Sequence, residues 1–269
     1  MIETGDFAGH IEMLTTRLAD AKKRGLDTDR LHTDPADHKS WTAERLAAQR
    51  EIIEDLYRDG RDVPCHGEAV LAGGLGGAGK GTVLAKYAGI DTSGYLVIDP
   101  DRIKQQMAER GMIPEVEGLS PMECSVLVHE ESSWIAANLA KRAYAEGRNV
   151  IWDITMSSLE STERRIDDLR SAGYHHLTGV FVDIPAEQSV QRALGRYRAG
   201  MERYGHGVGQ GGRYVPPEII LAQRTAGGRT VNRQVFETVK PRFDRWMVFD
   251  NSRDGEHPVL TDSSEREKQ

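Results

Sequence analysis

The chain has 269 residues, 38% of them hydrophobic and 29% charged, with a formal net charge of −7. That length supports a full apolar core in one large or two small domains. No uninterrupted apolar run approaches the roughly 18 residues of a membrane span, and the acidic balance argues against a general nucleic-acid binder. Met1–Asp6 lacks the basic start and apolar run of a secretory leader. Two cysteines, Cys65 and Cys124, are too few for a disulfide framework or a zinc site. A soluble, reduced, cytoplasmic protein without membrane or nucleic-acid partners is expected.

Residues 1–65 read as a helical segment packing on the rest of the chain. Phe7, Ile11, Leu14 and Leu18 recur at helical spacing until Gly25. A second helix is expected from Ser40 to Tyr57, carrying Trp41, Leu46, Ile53 and Leu56, with Thr28–His38 as a polar loop before it. From residue 66 to 252 the pattern changes to that of a second domain. Short apolar runs at Ala69–Ala72, Tyr95–Ile98, Val150–Trp152, Leu177–Val182 and Trp246–Phe249 alternate with helical stretches. Such alternation predicts an α/β fold, a parallel sheet with helices on both faces. Ser120-Pro121-Met122-Glu123 has the form of a helix start with a capping box. Gly147 and Gly173 each follow a helical run, as C-terminal caps do. Residues 192–213 hold seven glycines and five arginines against one acid, Glu202, and 192–216 reads as a mobile basic lid. The polar tail 253–269 has room for a short strand at Pro258–Leu260.

The sharpest local signal is Gly74-Leu75-Gly76-Gly77-Ala78-Gly79-Lys80-Gly81-Thr82, directly after an apolar strand and opening a helix. The glycines let successive amides curl around an anion at a helix N-terminus, and Lys80 is a flexible charge able to reach β- and γ-phosphate oxygens. ATP with Mg²⁺ is the expected ligand, cradled by Gly74, Gly76, Gly77, Ala78, Gly79, Lys80, Gly81 and Thr82. Gly81 stands where Ser or Thr is usual, which leaves Thr82 and water as metal ligands. A guanine-recognition motif is absent, and the size and layout favour a small-molecule kinase over a GTPase or a large ATPase.

Carboxylates follow two strand runs. Asp99 and Asp101 come after Tyr95–Ile98, where a parallel sheet places its ligands. One of the two is expected to take the proton of an acceptor hydroxyl, Asp101 being favoured, and the other to cap a helix. Asp153 ends Val150–Trp152 in the manner of a strand-end acid that positions Mg²⁺, directly or through water. Thr155, Ser157 and Ser158 follow, for substrate contact or helix capping. Arg192 and Arg196 share one helix face, in a segment suited to neutralising γ-phosphate charge. His129-Glu130-Glu131 reads as helix surface or as a substrate contact, and Phe249–Ser252 as a strand end near a nucleobase or a simple turn.

Taken in order, the P-loop, Val97-Ile98-Asp99-Pro100-Asp101-Arg102-Ile103-Lys104, Asn149–Thr155, Gly195-Arg196-Tyr197 and Arg213-Tyr214-Val215-Pro216 make residues 40–252 resemble the zeta toxins. These are P-loop kinases of toxin–antitoxin systems that phosphorylate a sugar hydroxyl of UDP-N-acetylglucosamine and so block cell-wall synthesis. The resemblance implies Lys80 as the phosphate-binding lysine, Asp101 as the base, Asp153 as the strand-end acid, and Arg196 and Arg213 as charge-stabilising lid arginines. It also implies a small antitoxin protein as partner. The sequence departs from the family on the acceptor side. Asp153-Ile154-Thr155 stands where the family has glutamate, glycine and threonine, Ser157 stands near an expected arginine, and Ala137 near an expected acid. A metabolic kinase of a nucleoside, nucleotide or other hydroxylated acceptor, and a nucleotide-binding regulator without an acceptor, are the competing readings.

Overall fold

The computed structural model describes residues 7–37 and 40–265. The expectations placed on Met1–Asp6, on the end of the Thr28–His38 connector and on residues 266–269 lie outside them. Two compact units are formed, the first from Met1–Leu56, Pro100–Asn138 and Leu194–Tyr214, the second from Tyr57–Asp99, Leu139–Ala193 and Val215–Gln269. Among the described residues the helices are α1 (Phe7–Lys23), α2 (Thr28–Leu31), α3 (Ala43–Asp59), α4 (Lys80–Lys86), α5 (Pro100–Glu109), α6 (His129–Ala145), α7 (Leu159–Ser171), α8 (Ala186–Gly205), α9 (Pro217–Leu221) and α10 (Val231–Val239). The strands are β1 (Glu68–Gly73), β2 (Leu96–Ile98), β3 (Val150–Asp153), β4 (His176–Asp183), β5 (Arg245–Asp250) and β6 (Val259–Ser263).

The second unit is built on a six-stranded sheet in the order β2-β3-β1-β4-β5-β6. The five runs read from the sequence pair in parallel. Strands buried on both faces lose the polar alternation of half-exposed ones and become continuous apolar runs, as Val70, Leu71 and Ala72 do at the sheet centre with 1% exposure or less. The tail contributes more than expected, because β6 pairs antiparallel with β5, with a register shift at Val248/Phe249. From β1 the chain crosses to β2 at one edge, returns through β3 beside β1, and passes to β4 on the other side of β1, so the strand order reverses between β1 and β3. In open sheets this reversal opens a crevice. Ser158 caps α7 by accepting from the Ser161 amide, and Thr230 caps α10 through the Arg233 amide. Gly147 and Gly173 take φ of 64° and 88° just past α6 and α7, the left-handed backbone their cap positions require.

In the first unit, Ser120-Pro121-Met122-Glu123 forms only half of the expected capping box, because the Glu123 amide bonds the Ser120 carbonyl at 3.1 Å rather than its hydroxyl. The Ser120 amide and hydroxyl each donate to Glu123 Oε2 at 2.7 Å. The turn it opens is a 3-10 helix over Glu123–Val128, and α6 starts only at His129. The connector expected as loop contains α2, whose buried Thr28 hydroxyl donates to the Leu127 carbonyl at 3.4 Å. Glu131, read as helix surface or substrate contact, is instead fully buried, held by Arg45 Nε and Nη2 at 2.7 and 2.8 Å and by Gln49 Nε2 at 2.7 Å. A buried carboxylate needs such partners to offset its desolvation.

Glu123 is the second buried acid of this unit. Its Oε1 lies 2.6 Å from His10 Nε2 of α1 and accepts from the Tyr197 hydroxyl of α8 at 2.6 Å. Burial and then this carboxylate push the Tyr197 hydroxyl pKa well upward, so it serves as a donor. The glycines that follow serve close approach. A side chain at Gly211 would strike Ser120, and one at Gly212 would strike the Tyr197 backbone. Glu123→Ala is expected to strand the Tyr197 and Ser120 donors and to cost about 3 kcal/mol of unfolding free energy. Glu123→Gln, which keeps an acceptor oxygen, should cost less. Urea denaturation of both variants checks the order.

Candidate active site

The carboxyl end of β1 runs into the glycine-rich loop, and the register places Ala72 opposite Asp153 of β3. Two main-chain bonds fasten this junction, Ile154 amide to Ala72 carbonyl at 3.0 Å and Gly74 amide to Thr155 carbonyl at 3.4 Å. Leu75 to Ala78 is closed by the Ala78 amide on the Leu75 carbonyl at 3.1 Å, after which Gly79 at φ 86° turns the chain into α4. The first amides of that helix have no intrahelical acceptor and carry the positive end of its dipole. Lys80 extends back across the loop. Its ammonium is 3.3 Å from Asp153 Oδ1 and donates to the Gly74 and Leu75 carbonyls at 3.2 and 3.5 Å. The lysine and the strand-end acid expected to work together are therefore in contact within the second unit. Thr82 is exposed in the first turn of α4. Thr155 is exposed and donates its hydroxyl to Ser157 at 3.1 Å, while its carbonyl also accepts from Asn232 at 2.8 Å.

Asp101 lies in the first turn of α5, in the first unit. Its Oδ2 accepts from Arg213 Nη1 at 2.5 Å, and Oδ1 lies 3.5 Å from the buried Lys104 ammonium. Arg213 was expected to act on phosphate charge, and here it is also the direct partner of the proposed base. His129 belongs to the same cluster. Burial first, then the charge of Lys104, lowers its pKa below the usual histidine value, with Arg213 adding to the effect and Glu130 and Asp101 opposing it. Because the folded form resists protonation, stability is complete above pH 6.5 and falls as the pH drops from there toward the lowered value. His32 is shifted in the same direction by burial and Arg45. The urea midpoint of His129→Gln should therefore fall less between pH 7.5 and 5.5 than that of the unmodified chain, without becoming flat. Arg196 is exposed on α8, beside the buried Tyr197.

Three residues near the loop escaped sequence reasoning as partners of the phosphate cradle. Ser189 and Arg192 of α8 and Asn251 beyond β5 all bond its carbonyls. Arg192 also donates to the Asn251 carbonyl at 2.9 Å and to Asp254 at 2.8 Å. Their signal is spatial, since Asn251 and Ala78 are 173 positions apart.

Strand, glycine-rich loop, helix and neighbouring strand-end carboxylate define a P-loop protein of the kinase-like α/β fold. The family model for zeta toxins matches residues 46–258, and the chain belongs to that family. No curated protein matches it in sequence. Among solved structures, the AvrRxo1-ORF1:-ORF2 complex with ATP is similar, with a TM-score of 0.63 and 18% identity over 88% of this chain and 76% of that one. The same complex with sulphate ions gives 0.62 and 19% over 85% and 70%. A structure from the PezAT toxin–antitoxin system of Streptococcus pneumoniae gives 0.57 and 16% over 84% and 83%. At these identities the likeness is one of fold. Among the described residues no helix is long and apolar enough to cross a membrane.

Proposed function

We propose that this protein is an ATP-dependent kinase that transfers the γ-phosphoryl group to a sugar hydroxyl of a UDP-activated amino sugar such as UDP-N-acetylglucosamine, so withdrawing a cell-wall precursor. The observation that carries the reading is the contact of Lys80 with Asp153 and the P-loop carbonyls in a chain of the zeta toxin family. An ammonium held on main-chain oxygens is ready to move onto phosphate oxygens, for which it is the better partner. The nucleotide-bound state of a protein with a similar fold supports ATP as donor.

Asp153 and Thr82 fit a Mg²⁺ ion, which takes one or two oxygen ligands from protein and the rest from phosphate and water. Bound there, the ion would neutralise charge shared by the β- and γ-phosphates. Asp101 acts on the acceptor. Its carboxylate receives the hydroxyl proton as the oxygen attacks, and the hydrogen bonds from Arg213 and Lys104 hold that carboxylate in place until then. Arg196 and Arg213 supply positive charge as the γ-phosphoryl group departs. A small antitoxin protein is the expected partner, as for the PezAT system, which is described as a toxin–antitoxin pair.

Incubation with labelled ATP, Mg²⁺ and a panel of UDP-sugars, nucleosides and nucleotides tests the assignment. Label in a UDP-amino sugar supports it. Transfer confined to a nucleoside or nucleotide moves the protein to metabolic kinases, a reading left open by the departures from the family pattern at Ile154, Ser157 and Ala137. Acceptor-independent hydrolysis alone removes the transferase reading.

A further inference from the structure

Phosphate recognition by a P-loop depends on where its amides point, and a trans peptide aims its carbonyl and its N–H in opposite directions. Three consecutive carbonyls of this loop are bonded by side chains from outside it. Gly76 accepts from the Ser189 hydroxyl, Gly77 from Arg192 Nη1 at 3.4 Å, and Ala78 from Asn251 Nδ2 at 2.7 Å. The frame is itself tied together, since Arg192 donates to the Asn251 carbonyl and Gln188 to the Ser252 carbonyl at 2.8 Å. It is also close-fitting. A methyl group on Gly79 would come within 2.6 Å of Asn251 Nδ2, and one on Gly77 within 3.1 Å of Arg192 Cβ.

We propose that Ser189, Arg192 and Asn251 are positioning residues for nucleotide polyphosphate. By drawing the Gly76 and Ala78 carbonyls to one side they turn the Gly77 and Gly79 amides to the other, where those amides meet phosphate oxygen. The Ala78 amide is already committed to Leu75, so these flanking two carry the orienting effect. Arg192, read from the sequence as one of the lid cations, belongs instead to the back of the loop, its guanidinium shared among Gly77, Asn251 and Asp254. Preorganised amides lose little freedom when the ligand arrives, which is how such a frame raises affinity.

The inference rests on the P-loop binding ATP and is tested by titration calorimetry of the full chain with ATP, ADP, AMP and adenosine. Asn251→Asp keeps the side-chain shape and replaces the donor facing Ala78 with an acceptor. Ser189→Ala deletes one hydroxyl. Each is expected to raise the ATP and ADP dissociation constants about tenfold, the scale of one well-made hydrogen bond, with AMP and adenosine changed less than twofold. A general loosening of the unit would weaken all four ligands alike, and that result overturns the proposal. So does unchanged ATP affinity in variants whose melting temperature matches the unmodified chain. If Asn251→Asp fails to fold, Ser189→Ala carries the same test. An unmodified chain that binds no ATP overturns the kinase reading and the proposal with it, an outcome distinct from normal binding that the variants leave untouched.

Discussion

Lys80→Ala is expected to lower phosphoryl transfer by two to three orders of magnitude, the range for losing one preorganised charge that stabilises a transition state. The ammonium has no substitute nearby on the loop itself, whose remaining contribution is neutral amides. It also holds Asp153 at 3.3 Å, so the variant leaves that carboxylate without its cation and facing incoming phosphate. Both kcat and ATP affinity should fall, because Lys80 would touch the phosphates in the ground state as well as in transfer. Initial rates with labelled ATP at saturating acceptor, together with ATP titration, measure the two parts. Turnover within tenfold of the unmodified enzyme would remove Lys80 from the transfer step. A toxin reading adds a second expectation, that growth arrest on expression of the unmodified chain is relieved by this variant.

Asp101→Asn should be comparably severe and differently distributed. A general base contributes about 10² to 10⁴ in rate, and asparagine matches the aspartate in shape while losing the ability to accept the proton. ATP binding should survive, since the glycine-rich loop, Lys80, Thr82 and Asp153 belong to the other unit. Arg213 and Lys104 stay beside the site but lose the charge of Asp101. Acceptor transfer is therefore expected to fall about a thousandfold with the ATP dissociation constant changed less than threefold. Near-normal transfer would show that another group takes the proton. An equal collapse of ATP binding would show a structural role.

The five parallel strands and the phosphate loop were legible in the sequence because each is local. A buried parallel strand is a run of apolar residues, and the loop is a string of glycines ending in lysine. The Ser120–Glu123 pair was legible as a start and misleading as to what it started, because Glu123 reaches back to the Ser120 amide equally well from a 3-10 turn as from an α-helix. Glu131 was misread because its neighbours Arg45 and Gln49 lie on another helix more than 80 positions away. The glycines of 192–213 suggested motion, but Gly211 and Gly212 are needed where the chain closes on Ser120 and Tyr197. Asp101 was a candidate from its place after β2. Its ion pair with Arg213, 112 positions apart, had no local trace. The frame of Ser189, Arg192 and Asn251 was invisible for the same reason.

The two outer strands of the sheet carry a consequence for solubility at high expression. An open β-edge is a template for a foreign chain, and proteins blunt it by shortness, charge or irregular pairing. Here one rim is β2, with only three residues, and the other is β6, pinned to β5 through a register shift and bearing Asp262, which Lys240 approaches at 3.7 Å. Neither rim offers the long flat ladder on which fibrils or edge-to-edge polymers grow.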